Sequence, residues 1–291
     1  MLTHTKIVKS GNILEVYEFE KAVDYGEREG GWNERYETER TYCMSIEKIQ
    51  EMRLESRQRS AQHSKSVLKQ IINANSGQWK DENGKLFMPI FLTLTFGKDI
   101  VTGNRIDVQK CNRIFSKFKQ RLDYEINKTK ESYLKYVAVI EFQKDIDFHG
   151  KRKEFGGRVH YHVLIFNLPF MKNIYDKINE IWGEGFVIVK PIDQVKNIAS
   201  YVCKYMTKSK ADERLCGEKI YFTSRGLKKP IKTFDEKLID LILQNIPSSV
   251  EPYEREIENE ACKKIMYKRY DLTEYTEIQK EIDELLDIDK V

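Results

Sequence analysis

The chain has 291 residues, 40% of them apolar and 33% charged, with a formal net charge of +4. No apolar run approaches the roughly 20 residues that span a bilayer, and residues 1–6 lack the apolar core of a secretory signal. Cys43, Cys111, Cys203, Cys216 and Cys262 form no C-x-x-C, which argues against a disulfide framework or zinc knuckle and for a reducing cytoplasm, with no membrane partner. The charge is uneven. Residues 231–291 carry 9 Lys/Arg against 16 Asp/Glu, and residues 1–230 carry 41 against 30. A basic body with an acidic tail suits a polyanionic partner, although a merely solvated surface has the same composition.

In chain order, residues 6–43 alternate apolar and polar around glycine breaks and read as one or two hairpins. Ser45 is placed to cap a charged helix over 46–72, whose arginines and lysines suit either phosphates or water. Turn clusters at 73–77 and 81–84 mark a boundary. Three domains are expected: an N-terminal hairpin and helix region over 1–84, a main domain over 85–231, and an acidic, helical C-terminal extension over 232–291. The main domain opens with a β-rich run at 89–96. A helix capped by Asp107 follows over 107–128, then strands at 133–142 and 157–166, a helix at 168–182, a short strand at 185–191 and a third helix at 193–207. The first six elements have the order of an α+β, ferredoxin-like βαββαβ antiparallel sheet with both helices on one face. No G-x-x-x-x-G-K-[ST] is present, so the chain carries no P-loop ATPase module.

Two of the five histidines, His160 and His162, stand two apart in the strand that follows Gly157. Alternation along a strand puts both imidazoles on one face and Tyr161 on the other. Such a pair is half of a divalent-metal site, or a hydrogen-bonded polar pair at a strand end. Glu141 ends the preceding strand, and a hairpin would bring its carboxylate to the same face as a third ligand. Gln143 is the fallback on that face, and pairing of Glu141 with Arg158 is the structural alternative. Two imidazoles and a carboxylate with open positions suit a labile Lewis-acid ion, Mg²⁺ or Mn²⁺. The third helix reads Tyr201-Val202-Cys203-Lys204-Tyr205-Met206-Thr207-Lys208. Tyr201 and Tyr205 share one helix face, and Lys204 and Lys208 an adjacent strip. These tyrosines are nucleophiles if a cation or metal assists them, and packed core residues otherwise.

Taken together, Phe91-Leu92-Thr93-Leu94-Thr95-Phe96, Glu141, Gly157-Arg158-Val159-His160-Tyr161-His162 and the tyrosine helix resemble the ordered motifs of the HUH endonuclease superfamily. Within it they are most similar to the rolling-circle replication initiators of bacterial phages and small plasmids. Trp182-Gly183-Glu184-Gly185-Phe186-Val187 and Ser224-Arg225-Gly226-Leu227-Lys228-Lys229-Pro230 add to the likeness, which covers 89–231. The resemblance implies that His160 and His162, with Glu141, hold the metal and that Tyr201 and Tyr205 attack a phosphate of single-stranded origin DNA. One tyrosine would become linked to the 5′-phosphate and free a 3′-OH for a polymerase, with a helicase supplied by the host. Lys204 and Lys208 would neutralise phosphate charge, tune a phenol, or touch the DNA backbone. Arg158, Tyr161, Arg225, Lys228 and Lys229 are the further expected DNA contacts. A relaxase or transposase would share the histidines. A non-catalytic single-strand binder would instead display Tyr161 and Phe91 as stacking platforms.

Overall fold

The computed structural model describes residues 2–24, 46–103, 105–129, 131–144, 146, 149–153, 157–192, 197–209, 215, 218–259 and 262–288. They form a mixed α+β chain with two five-stranded antiparallel sheets, a two-stranded ribbon and six helices. None of these helices is long and apolar enough to cross a membrane. The chain divides into two compact units, Met1–Leu54 with Lys229–Val291, and Glu55–Lys228.

The Glu55–Lys228 unit carries the sheet expected from the sequence. Its strands are β3 (Ile90–Phe96), β6 (Tyr136–Phe142), β7 (Val159–Ile165), β8 (Gly185–Pro191) and β9 (Tyr221–Thr223), in the spatial order β8-β3-β7-β6-β9. The short ribbon β4 (Val101–Thr102) and β5 (Arg105–Ile106) precedes helix α2 (Val108–Asn127). Asp107 caps α2, its side chain accepting from the Lys110 amide at 2.7 Å. Val108, Cys111, Phe115, Phe118 and Leu122 recur at helical spacing and bury one stripe of α2. With Ile178 and Trp182 of α3 (Ile174–Trp182), that stripe packs on Ala138, Ile140, Tyr161 and Val163 of the sheet. Fully burying each such large apolar side chain contributes about 1.5–3 kcal/mol.

The opposite sheet face is also covered. Leu68 and Ile72 of α1 (Ile46–Asn75) and Ala199, Val202, Cys203 and Met206 of α4 (Ile198–Ser209) pack on Phe91, Val137, Val139, Leu164 and Phe166. All seven residues of β6 are consequently buried, which explains its unbroken apolar run.

Two glycines let the strands close up where a side chain would not fit. A Cβ on Gly185 (φ 153°) would lie 2.2 Å from the Gly97 nitrogen and 2.3 Å from the Thr95 carbonyl oxygen. A Cβ on Gly157 would lie 1.8 Å from the carbonyl oxygen of Gln143, beside the bond from the Gln143 amide to Arg158 at the base of the β6–β7 hairpin.

The Met1–Leu54 and Lys229–Val291 unit corrects two expectations. The N-terminal hairpin forms, as β1 (Leu2–Ser10) and β2 (Ile13–Asp24), but its sheet continues with residues from the far end of the chain. The order is β10-β1-β2-β12-β11, with β10 (Ile231–Thr233), β11 (Tyr253–Asn259) and β12 (Lys263–Asp271). The two ends read as separate extensions therefore share one sheet, and the boundary drawn at residue 84 falls inside the Glu55–Lys228 unit. The segment 254–291, expected to be helical, is mostly a strand pair, with a helix only at α6 (Thr276–Ile288). Its charges have period 2 rather than helical spacing: Glu254 faces Lys268 and Glu258 faces Lys264 across the pair, where opposite charges stabilise a sheet. Helices α5 (Glu236–Gln244) and α6 cover one face of this sheet through Ile239, Ile242, Ile282 and Leu286. There the buried Lys9 donates to Asp283 at 2.8 Å. A second N-terminal hairpin and the Ser45 cap fall outside the described residues.

Gly157→Ala is expected to destabilise the protein by about 1–3 kcal/mol, the range for forced overpacking. The midpoint of urea unfolding measures it; an unchanged midpoint would show that the hairpin base has room for a methyl group.

Candidate active site

Alternation along the three central strands assembles the site. On β7, Val159, Tyr161, Val163 and Ile165 face α2, which leaves His160, His162 and Leu164 on the side covered by α4. On β6, Tyr136, Ala138, Ile140 and Phe142 take the α2 side and Val137, Val139 and Glu141 the other. On β3, Phe91, Thr93 and Thr95 share the histidine face. The antiparallel register sets Glu141 opposite His160, Val139 and Thr93 opposite His162, and Thr95 opposite His160.

His162 is 4% exposed and Glu141 7%. His162 Nε2 lies 2.6 Å from Glu141 Oε2, and its Nδ1 lies 3.1 Å from Thr93 Oγ1. Both ring nitrogens are thereby engaged, so the imidazole is fixed in orientation. The expected alternative pairing of Glu141 with Arg158 does not form: Arg158 Nε bonds Asp99 Oδ1 at 3.2 Å. The fallback Gln143 accepts from Lys153 Nζ at 3.2 Å, so the carboxylate that reaches the histidines is Glu141. The His160 and His162 rings are 6.1 Å apart, centre to centre. Among the described residues, no three His, Cys, Asp or Glu side chains are already gathered as a metal cluster; His162 and Glu141 are closed on one another.

Helix α4 brings the tyrosines to this face. Val202, Cys203 and Met206 are its buried stripe. Tyr201 and Tyr205, one turn apart, are half-buried beside it, and Lys204 is exposed. The Tyr205 ring stacks on His162 at 3.7 Å and 21°. Phe91, 1% exposed, lies beneath the group, stacked with Tyr205 at 5.6 Å and edge-on to Tyr201 at 5.2 Å. The Tyr205 hydroxyl donates to that of Tyr201 at 3.4 Å, and Lys204 Nζ sits 4.0 Å from the Tyr201 ring centre and 5.2 Å from that of Tyr205. Burial first, then the Tyr201 hydroxyl and the Glu141 charge, push the Tyr205 phenol above its ordinary range. On the same helix Cys203 is no rival nucleophile: burial pushes its thiol up to about 12. The side chain of Lys208 lies outside the described residues.

The remaining expected DNA contacts fare differently. Tyr161 is a correction: it is 0% exposed, stacks on Phe115 at 4.3 Å and donates to Asn112 at 2.6 Å. It is a core residue because it alternates with the histidines, and the face opposite them is the one that α2 covers. Arg225 and Lys228 are exposed in the turn after β9. Arg225 lines a cleft of about 710 Å³ with Ser116, Lys119 and Tyr136, on the sheet face turned away from the histidines. Lys228 Nζ donates to Gln78 at 2.7 Å. Lys229 is exposed and starts the second part of the other unit. The structure thus brings together Glu141, His160, His162, Tyr201, Lys204 and Tyr205, and leaves Arg225, Lys228 and Lys229 outside that group. Sequence reasoning gave Thr93 no role of its own, and Phe91 only that of a stacking platform. Their signal was the alternation Phe91-Thr93-Thr95 against Leu92-Leu94-Phe96, which sets a hydroxyl row on the histidine face.

No curated protein and no solved structure matches the chain. Residues 89–210 match the model of a family described as a replication-associated protein of the ORF2 type. That span runs from β3 to the last turn of α4 and holds every residue of the assembled group. The family match supports a protein of the replication-initiator type, with a part in DNA replication.

Proposed function

We propose that the chain initiates rolling-circle replication by nicking and rejoining single-stranded DNA through tyrosine transesterification, as an HUH endonuclease. The observation that carries this reading is the stacking of Tyr205 on His162 at 3.7 Å: two motifs distant in sequence meet ring on ring at a buried carboxylate. The strand order β8-β3-β7-β6, antiparallel at every step, supports the ferredoxin-like arrangement of that superfamily. The stacking-platform alternative needs Phe91 and Tyr161 open to bases, and they are 1% and 0% exposed.

In the proposed reaction a phenol oxygen of Tyr201 attacks the scissile phosphorus. The new O–P bond forms as the bond to the 3′ oxygen breaks; the phenol gives up its proton and the 3′ oxygen takes one up. The products are a 5′-phosphotyrosine and a free 3′-OH, which primes a polymerase. One phosphate ester replaces another, so rejoining needs neither water nor ATP. Tyr201 is taken as the first nucleophile because its oxygen accepts the Tyr205 hydroxyl, and a donated bond stabilises a developing phenolate. Lys204 over both rings opposes negative charge on phenolate and phosphate alike. Lys208 is proposed as a contact to the backbone of the strand. Tyr205 is the partner for a second exchange.

His160, His162 and Glu141 fit a divalent cation by the chemistry of their donors, two imidazoles and one carboxylate on a single sheet face. A bound Mg²⁺ or Mn²⁺ would supply Lewis-acid polarisation of the phosphate. Thr93 holds the His162 ring in place. Strand separation is left to a host helicase, and the setting is the cytoplasm of a bacterial host.

Mixing the protein with a labelled origin-like single strand and Mn²⁺ is expected to give an SDS-resistant adduct, and chelation to abolish it. A gel shift with no covalent product would sink the enzyme reading. Tyr201→Phe should remove most of the first-round adduct and Tyr205→Phe mainly the rejoined product; full adduct yield from both would refute the assignment. His160→Ala should lower the nicking rate by about tenfold or more, given the several kcal/mol that a Lewis acid contributes, and a full rate would remove the metal from the mechanism.

A further inference from the structure

The histidine face does not stop at β3. Across the next register, Thr95 pairs with Phe186, Thr93 with Ile188 and Phe91 with Lys190. The row that contains His160 and Thr95 therefore continues to Phe186, and the row with His162 and Thr93 to Ile188. Phe186 is 71% exposed and Ile188 49%, and Lys190, the next residue on that face, is exposed. Between them Val187 points to the other side and is 4% exposed. β8 is also an edge strand, where exposed apolar side chains invite association with other chains. An aromatic ring, an aliphatic neighbour and a cation thus line a strip two strand spacings from the histidines, about 10 Å. No acidic side chain stands on that side of β8.

We propose that this strip of β8 is a landing for the single strand beside the scissile phosphate, with Phe186 stacking on a flanking base and Lys190 meeting the backbone. The inference rests on the proposed nicking site for its orientation, since that site shares the sheet face. A ring held flat on a sheet offers its π-surface to any base, and stacking of this kind tolerates sequence. The lysine adds a phosphate contact, so affinity falls with salt. Duplex DNA, with its bases already stacked on each other, cannot use the ring. Phe186 follows the Trp182-Gly183-Glu184-Gly185 segment, and the tight approach of Gly185 to Thr95 and Gly97 holds the start of β8 in register.

The test is anisotropy of a labelled 20-nucleotide mixed-sequence single strand on the full chain in chelator, where no strand is cut. Phe186→Ala is expected to weaken binding by about tenfold, within the range for loss of one base–aromatic stack. Phe186→Trp should restore affinity and Phe186→Leu should not. The emission of Phe186→Trp should be quenched by the single strand and not by a duplex of the same sequence. Unchanged affinity in both Phe186→Ala and Phe186→Leu, or unquenched tryptophan at saturation, overturns the proposal. So does a dimer in sedimentation that Phe186→Ala dissociates without altering DNA affinity, which would make the strip a self-association face. Loss of the covalent adduct reaction alone would overturn the nicking reading and leave this binding result standing, because no step here uses the tyrosines. Phe186 is exposed, so these variants keep the fold.

Discussion

The register of β7 between β3 and β6 is the constraint on which the site depends. With Glu141 opposite His160, and Thr93 and Val139 opposite His162, three strands deliver a carboxylate, two imidazoles and a hydroxyl to one face. A slip by a single residue would turn Tyr161 toward the tyrosine helix and bury the histidines among Phe115 and Ile140, since strand side chains alternate with period 2. The register is over-determined. Tyr161 is anchored by Phe115 and Asn112, and Gly157 and Gly185 hold backbones closer than any side chain would allow. Buried polar groups add to this: a displaced Glu141 would lose His162 in a place where water cannot replace it.

On that platform, helix α4 works as a three-sided object. One side, Val202, Cys203 and Met206, is buried and fixes the helix on the sheet. A second, Tyr201 and Tyr205, meets Phe91 and His162 ring against ring. A third, with Lys204, is exposed. The aromatic contacts set the tyrosine positions more tightly than hydrophobic burial alone, because ring pairs have preferred geometries and contribute about 0.5–1.5 kcal/mol beyond their area. Helix and strand thus specify each other, the helix by its apolar stripe and the strand by the ring it offers.

The other unit uses charge differently. Its acidic residues are engaged largely within its own sheet, with Glu18 bonded to Lys268, Glu256 to Lys264 and Glu15 to the Tyr267 hydroxyl. The acidity of the C-terminal segment is in this respect a property of strand pairing, which its composition alone could not distinguish from that of a solvated helix.

Local patterning carried much of this protein. The β-rich runs at 89–96, 133–142, 157–166 and 185–191 and the capped stripe of α2 were legible because periods of 2 and 3.6 are written directly into apolar spacing, and the placement of His160 and His162 on one face follows from alternation alone. The motifs of the histidine strand and the tyrosine helix announced their chemistry in the same local way. Only the tertiary structure decided which groups meet. It gave His162 to Glu141 and Arg158 to Asp99, stacked Tyr205 on the imidazole, sent Tyr161 into the core, and joined the two ends of the chain in one sheet. Those outcomes depend on which helix covers which face and on strand pairings between distant segments. They are free-energy differences between whole packings, to which no single stretch of residues holds the answer.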